Sequence, residues 1–212
     1  MTADTSSNPG EGPYTGPVVH MFADESCLGN QFGDRANPGA AAGLIERFDE
    51  RGGWRRRDFA HFDPDTTNNR MAIMSAILGL RSLTRPCQVV FTSDSQYLIK
   101  GISEWVHGWA HRGWRRKGGQ IENLSLWKEL VAEAARHEIE WRWTRGHAAD
   151  VKNQYADWLA VRTAKDGRGL EGLVESGFNE WLSREQEAGR YEDFLDLPDP
   201  SFSPGRRPPA VG

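Results

Sequence analysis

The sequence predicts an α/β domain, a mixed sheet of five strands flanked by helices, and three observations predict it. Three short runs of strand-type patterning follow one another near the start, with turn residues between them. After them, helical and strand patterning alternate. The 212 residues, 38% of them hydrophobic, suffice for one full core with tails at either end.

Residues 18–22 form an apolar run that stops at Asp24, Glu25 and Ser26, as a buried strand does before a polar loop, which puts Asp24 at a strand end. Apolar residues resume over 40–48, and 54–62 mixes arginine with aromatics; Gly52 and Gly53 mark the turn between these two strands. Residues 68–83 switch to helical spacing, with Met71, Met74, Ile77 and Leu78 on one stripe and Thr66 or Thr67 as N-cap. A fourth strand, 88–91, ends at Thr92, Ser93 and Asp94, and a helix starting near Ser95 carries Tyr97, Leu98 and Ile102 inward.

An amphipathic helix follows over 124–137 through Leu126, Leu130 and Ala134. In 139–144, Ile139, Trp141 and Trp143 alternate inward against Glu and Arg, giving the fifth strand. A helix over 152–164 carries Asp157 on its first two turns. Further on, Leu170, Val174, Phe178, Trp181 and Leu182 keep a helical stripe, expected to pack on its own domain in preference to a partner protein. The expected division is a flexible tail 1–16, a domain 17–166, a helical extension 167–197 and a disordered Pro/Gly/Ser/Arg tail 198–212.

A formal charge of -4 excludes coating nucleic acid by overall charge, so any such binding needs a local basic patch. Two distant cysteines, Cys27 and Cys87, fit a reducing compartment without a disulfide. The start lacks the basic and apolar blocks of a signal peptide and no apolar run reaches membrane-spanning length, so a cytoplasmic protein without membrane contact is expected.

Asp24, Asp94 and Asp157 are candidates for holding divalent ions at element ends, the arrangement phosphodiester hydrolysis needs, although a lone strand-end aspartate is more often a turn-former. Their surroundings decide. Asp24-Glu-Ser-Cys-Leu-Gly-Asn30, Thr66-Thr-Asn-Asn-Arg-Met71, Thr92-Ser-Asp-Ser-Gln-Tyr97 and Gly146-His147 followed by Asp157 occur in one order, and this set closely resembles type 1 ribonuclease H, over roughly residues 18–164.

The resemblance implies a ribonuclease H-like five-stranded mixed sheet and an endonuclease that cuts the RNA strand of RNA/DNA hybrids to leave a 3'-hydroxyl and a 5'-phosphate. It implies two Mg2+ ions, with Mn2+ as substitute, held by Asp24, Asp94 and Asp157. It matches His147 to the loop histidine of proton transfer or product release, and Cys27, Asn30, Thr67, Asn68, Asn69 and Gln96 to substrate contacts. A monomer is expected.

The pattern breaks at Ala72, where the family has its fourth catalytic carboxylate after Met71. Strongly reduced turnover with hybrid binding kept is therefore expected, and the retention of every other motif favours an introduced substitution over a natural variant. The family usually has a small residue at Glu25, which leaves two readings, a glutamate leaning toward the metals to replace part of the missing carboxylate and a solvated loop glutamate; since neighbouring strand residues face opposite ways, the solvated loop glutamate is the expectation there.

Between residues 104 and 119, Trp105, Trp109 and Trp114 interleave with Arg112, Arg115, Arg116 and Lys117, matching the family's basic protrusion. Trp105 and Trp109 are expected to fill its joint with the domain, leaving Trp114 and the arginines to meet the hybrid. A non-catalytic hybrid binder and a DNA nuclease or integrase of the same fold are the alternative readings.

Overall fold

The computed structural model describes residues 18–29, 37–145 and 150–210. Among these, β1 (Val19–Cys27), β2 (Gly39–Asp49) and β3 (Gly53–Asp63) form the antiparallel meander, followed by α1 (Asn68–Arg81) and β4 (Gln88–Ser93). Then come α2 (Gln96–Lys100), a π-helical turn (Gly101–Trp105), α3 (Val106–His111), α4 (Leu124–Ala134), β5 (Glu138–Trp143), α5 (Val151–Asp166), β6 (Val174–Glu175) and α6 (Phe178–Glu187). The sheet order is β5-β4-β1-β2-β3-β6, with β4 parallel to both β1 and β5.

The sheet thus has six strands, not five: the two-residue β6 pairs with β3 through Arg57 and Asp58. A strand that short leaves no alternation to read. Leu170 and Val174 consequently belong to no helix, and only Phe178, Trp181 and Leu182 of the stripe lie on α6. Phe178 and Trp181 are buried against Tyr155, within the chain itself.

Side-chain alternation assigns each face of β1 to its own helices. Val19, Met21 and Ala23 join Ala72, Ile73, Ala76 and Ile77 of α1 and Trp127 of α4 in the main core. Phe22 points the other way, to Leu44, Tyr155 and Ala156. β1 does not stop at Phe22. Its pairing with β2 runs through Asp24↔Ala42 and Glu25↔Ala41 to Cys27↔Gly39, so both acids lie inside a strand.

Residues 198–210 have no regular secondary structure, yet they are not the free tail their composition suggests. The Asp199 carbonyl bonds His20 Nε2 at 2.8 Å, the Ser203 N–H donates to Glu140 at 2.7 Å, and the Gly205 N–H donates to the Ile139 carbonyl at 2.9 Å. The segment therefore covers the exposed edge of β5, whose unpaired groups would otherwise invite another strand.

The extension is fastened by a buried ionic group. Arg56 donates to Glu46 at 2.8 Å, to Asn179 at 2.9 Å and to Asp196 at 2.5 Å; Lys152, on the first turn of α5, pairs with Glu46 and stands 3.1 Å from Asp196. Both cations also lie over the Trp54 ring. Two positive and two negative groups balance, which is what burial of charge demands. Among the described residues no helix is long and apolar enough to cross a membrane.

Candidate active site

Asp24 is buried on β1, where its Oδ1 accepts the Glu25 N–H at 2.7 Å and its Oδ2 accepts the Asn153 side chain at 3.2 Å. Asn153 is held in turn by Asp150, the N-cap of α5, whose carboxylate accepts the N–H groups of Lys152 and Asn153. Four residues beyond Asn153 on α5 lies Asp157. Asp94 follows the last residue of β4, and its carbonyl accepts the Trp143 indole N–H at 3.0 Å.

These carboxyls feel one another. Burial, then the charges of Asp94 and Asp157, raise the Asp24 pKa to about 8 against the pull of its two hydrogen bonds. Glu25 is affected in the same sense: burial first, then Asp24, Asp94 and Asp157, push its carboxyl well above the usual range. Among the described residues, its Oε2 is sealed from water without a hydrogen-bond partner.

Glu25 is therefore no solvated loop glutamate, and the correction has a simple origin. Alternation does turn Glu25 away from Asp24, but the face it turns to is that of Val19, Met21 and Ala23, the face covered by α1 and Ala72. Ala72 is fully buried there. Ala72 therefore stands on the helix that covers the face of β1 to which alternation assigns Glu25.

Among the described residues no three acidic or other metal-binding side chains are already closed around one point. The donor set nonetheless fits hard divalent ions: oxygen-only, acid-rich, and with an orphaned buried oxygen on Glu25.

The expected substrate contacts gather in part. Thr67 caps α1, accepting the Arg70 N–H at 3.3 Å, and Asn68 and Asn69 are exposed on that first turn; Gln96 is exposed at the start of α2. Cys27 is half-buried at the end of β1, its thiol raised to about 11 by burial and the charges of Glu25 and Asp63. Both cysteines are free thiols. Asn37, which gave no sequence signal, ties these parts together: its Oδ1 accepts the Gly29 N–H at 2.8 Å and its side-chain amide donates to the Thr66 carbonyl at 2.7 Å. Asn30 and His147 lie outside the described residues.

On the protrusion, Trp105 and Trp109 fill the joint, Trp105 against Tyr97 and Trp109 against Trp127. Trp114, expected outward, instead packs against the main core with Lys128 over its ring, leaving Arg112, Arg115, Arg116 and Lys117 exposed. A left-handed backbone at Trp114, φ 59°, turns it in. Trp143 departs the other way: expected inward, it is 43% exposed beside Asp94.

The RNase H family model matches residues 17–165, which contain all four carboxylates. The chain belongs to the RNase H family. It is 43% identical to the Ribonuclease H of Syntrophotalea carbinolica over 151 residues, covering 71% of this chain and 93% of that one. With the Ribonuclease H of Granulibacter bethesdensis the identity is 42% over 154 residues, covering 71% and 94%.

Among solved structures, the crystal structure of LC9-RNase H1, a type 1 RNase H with the type 2 active-site motif, superposes with a TM-score of 0.83 at 44% identity. The match covers 92% of this chain and 95% of that one, so it extends beyond the RNase H domain into the C-terminal residues.

Proposed function

We propose that this chain is an endonuclease hydrolysing the RNA strand of RNA/DNA hybrids with two divalent metal ions, Mg2+ or Mn2+, and that Glu25 is its fourth catalytic carboxylate. The observation that supports this reading best is Glu25 itself: on β1 next to Asp24, on the face that α1 and Ala72 cover, with one carboxyl oxygen buried without a hydrogen-bond partner among the described residues and its carboxyl raised by burial and by the charges of Asp24, Asp94 and Asp157. The likeness to LC9-RNase H1, whose active-site motif is that of type 2 within a type 1 fold, supports it. Reduced turnover then no longer follows from Ala72, and neither does an introduced substitution there.

Asp24, Glu25, Asp94 and Asp157 would hold the ions. Bound there, the ions supply polarisation of the phosphate and activation of the attacking water. Asn153 and the Glu25 N–H keep the Asp24 carboxylate aimed. Trp143 fixes the Asp94 backbone. Asn68, Asn69 and Gln96 are exposed and meet sugars and phosphates, while the protrusion's basic side chains neutralise the backbone of the DNA strand. His147 carries the proton transfer or product release that the family resemblance implies.

Contact with 2'-hydroxyls and backbone rather than base edges implies little sequence preference. Incubation with labelled RNA/DNA hybrid, double-stranded DNA and double-stranded RNA in magnesium tests the reading. Cleavage of the hybrid's RNA strand is expected; preference for DNA, or binding without cleavage, would contradict it.

A further inference from the structure

We propose that Asp196, in the C-terminal extension, is a positioning residue of the active site, acting through Lys152 and the first turn of α5 on the carboxylate of Asp24. The inference rests on the metal-dependent function proposed above and assigns part of its machinery to a residue outside the matched domain.

The chain of contacts starts at Asp24, whose Oδ2 accepts the side-chain amide of Asn153 at 3.2 Å. Asn153 is 2% exposed, and its own Oδ1 has no hydrogen-bond partner among the described residues. With no anchor on that oxygen, the direction of the amide is set by the backbone that carries it. That backbone is the first turn of α5. Asp150 holds it at the N–H groups of Lys152 and Asn153, and the Lys152 side chain ties it to the rest of the fold.

Lys152 is gripped from two sides. Glu46 holds its ammonium from β2, and Asp196 stands 3.1 Å away on the extension. Asp196 is itself fixed to β3: Arg56 donates to its Oδ2 at 2.5 Å, and the Trp54 indole N–H donates to its carbonyl at 3.3 Å. The Asp196 Oδ1 is sealed from water and accepts no hydrogen bond among the described residues, and Lys152 is the cation it faces.

Stability alone gives no reason for a lysine at this place. A cation on the first turn of a helix opposes the positive end of the helix dipole, and apolar residues of similar volume often replace a buried ion pair without loss. What the paired charges add is register. The ammonium fits between two carboxylates in one position only, and that position sets the turn bearing Asn153 and, four residues on, Asp157.

Four proteins test this: the intact chain, Asp196→Asn, Asn153→Ala and the two changes together, each at a temperature where circular dichroism shows it folded. Asparagine keeps the shape of Asp196 and removes the charge that draws Lys152. Asp196→Asn should lower kcat for hybrid cleavage about 3- to 10-fold with KM unchanged, at or below the low end of what outer partners of metal ligands are worth. The magnesium concentration that half-stabilises the protein against melting, read without substrate, should rise by a similar factor, which a purely structural contact would leave in place. The combined variant should lose no more than Asn153→Ala alone, because both act through one bond. Unchanged kcat and magnesium midpoint in Asp196→Asn, or losses that multiply in the combined variant, overturn the inference alone. If the intact chain cleaves no hybrid, the cleavage reading falls, and the magnesium midpoint still decides whether Asp196 acts on the site. A melting temperature indifferent to magnesium in the intact chain overturns both.

Discussion

Replacing Asp196 with alanine would leave two buried cations, Arg56 and Lys152, to share one carboxylate, Glu46. The side chains of Arg56, Lys152 and Glu46 are 7%, 10% and 1% exposed, and that of Asp196 is 25% exposed. Breaking a buried ion pair from one side costs about 3 to 5 kcal/mol, because the partner's charge stays buried. Arg56 keeps its bonds to Glu46 and Asn179, and water reaches the Asp196 position, so the low end applies, about 3 kcal/mol. In a domain of this size that corresponds to roughly 6 to 12 °C in melting temperature. Urea unfolding at pH 7 measures it, together with Lys152→Met and the double variant. The double variant restores one cation to one anion, so its loss should fall short of the sum of the two single losses by about 1 to 3 kcal/mol. A loss below about 1 kcal/mol for Asp196→Ala, or simple additivity, would refute the claim that this group fastens the extension to α5.

Three further outcomes are expected. Folded, metal-free protein keeps protons on Asp24 up to about pH 8 and on Glu25 well above the usual range, whereas the unfolded chain releases them near the ordinary carboxylate pKa. Native protein then binds more protons than unfolded, so stability is greatest in acid and falls as pH rises from about 4 to about 8; urea titrations should show this in EDTA and a weaker dependence in magnesium. Tyr155→Phe removes the hydroxyl that donates to Asp58 and leaves that buried carboxyl to the Gly177 N–H and the Ser176 side chain, at an expected cost of about 1 to 3 kcal/mol, read by urea midpoint. Gly101→Ala would drive a methyl group into the Trp127 ring beneath the π-helical turn and is expected to cost about 3 kcal/mol or more, read by thermal melting.

Most of the fold is legible because its strands and helices are long enough to repeat a period: α1, α4 and α5 fall within a few residues of where their apolar spacing places them. β6 is too short to show one. The C-terminal segment reads as disordered because its bonds are made by backbone groups and single side chains, such as Gly205 and Asp199, which leave no mark in composition. Motifs name Asp24, Asp94 and Asp157, while Glu25, proposed above as their fourth partner, reads from the sequence mainly as a solvated loop residue. That reading comes from ending β1 at its first polar residues, and from treating alternation as turning Glu25 away from the site. In fact it turns toward α1, and only the pairing through Cys27↔Gly39 reveals that this face is covered.

The most direct test of that central claim is hybrid cleavage in magnesium by four proteins: the intact chain, Glu25→Gln, Ala72→Glu, and Glu25→Gly/Ala72→Glu. The account expects the intact chain to be active and Glu25→Gln to lose on the order of 100-fold or more, since even outer partners of a metal site are worth about 10 to 100-fold. It expects Ala72→Glu alone to gain nothing, a second acid crowding an occupied and buried space, and the exchange of both positions to recover much of what Glu25→Gln loses. Full turnover in Glu25→Gln, or activation by Ala72→Glu alone, would contradict the assignment of Glu25 as the fourth carboxylate.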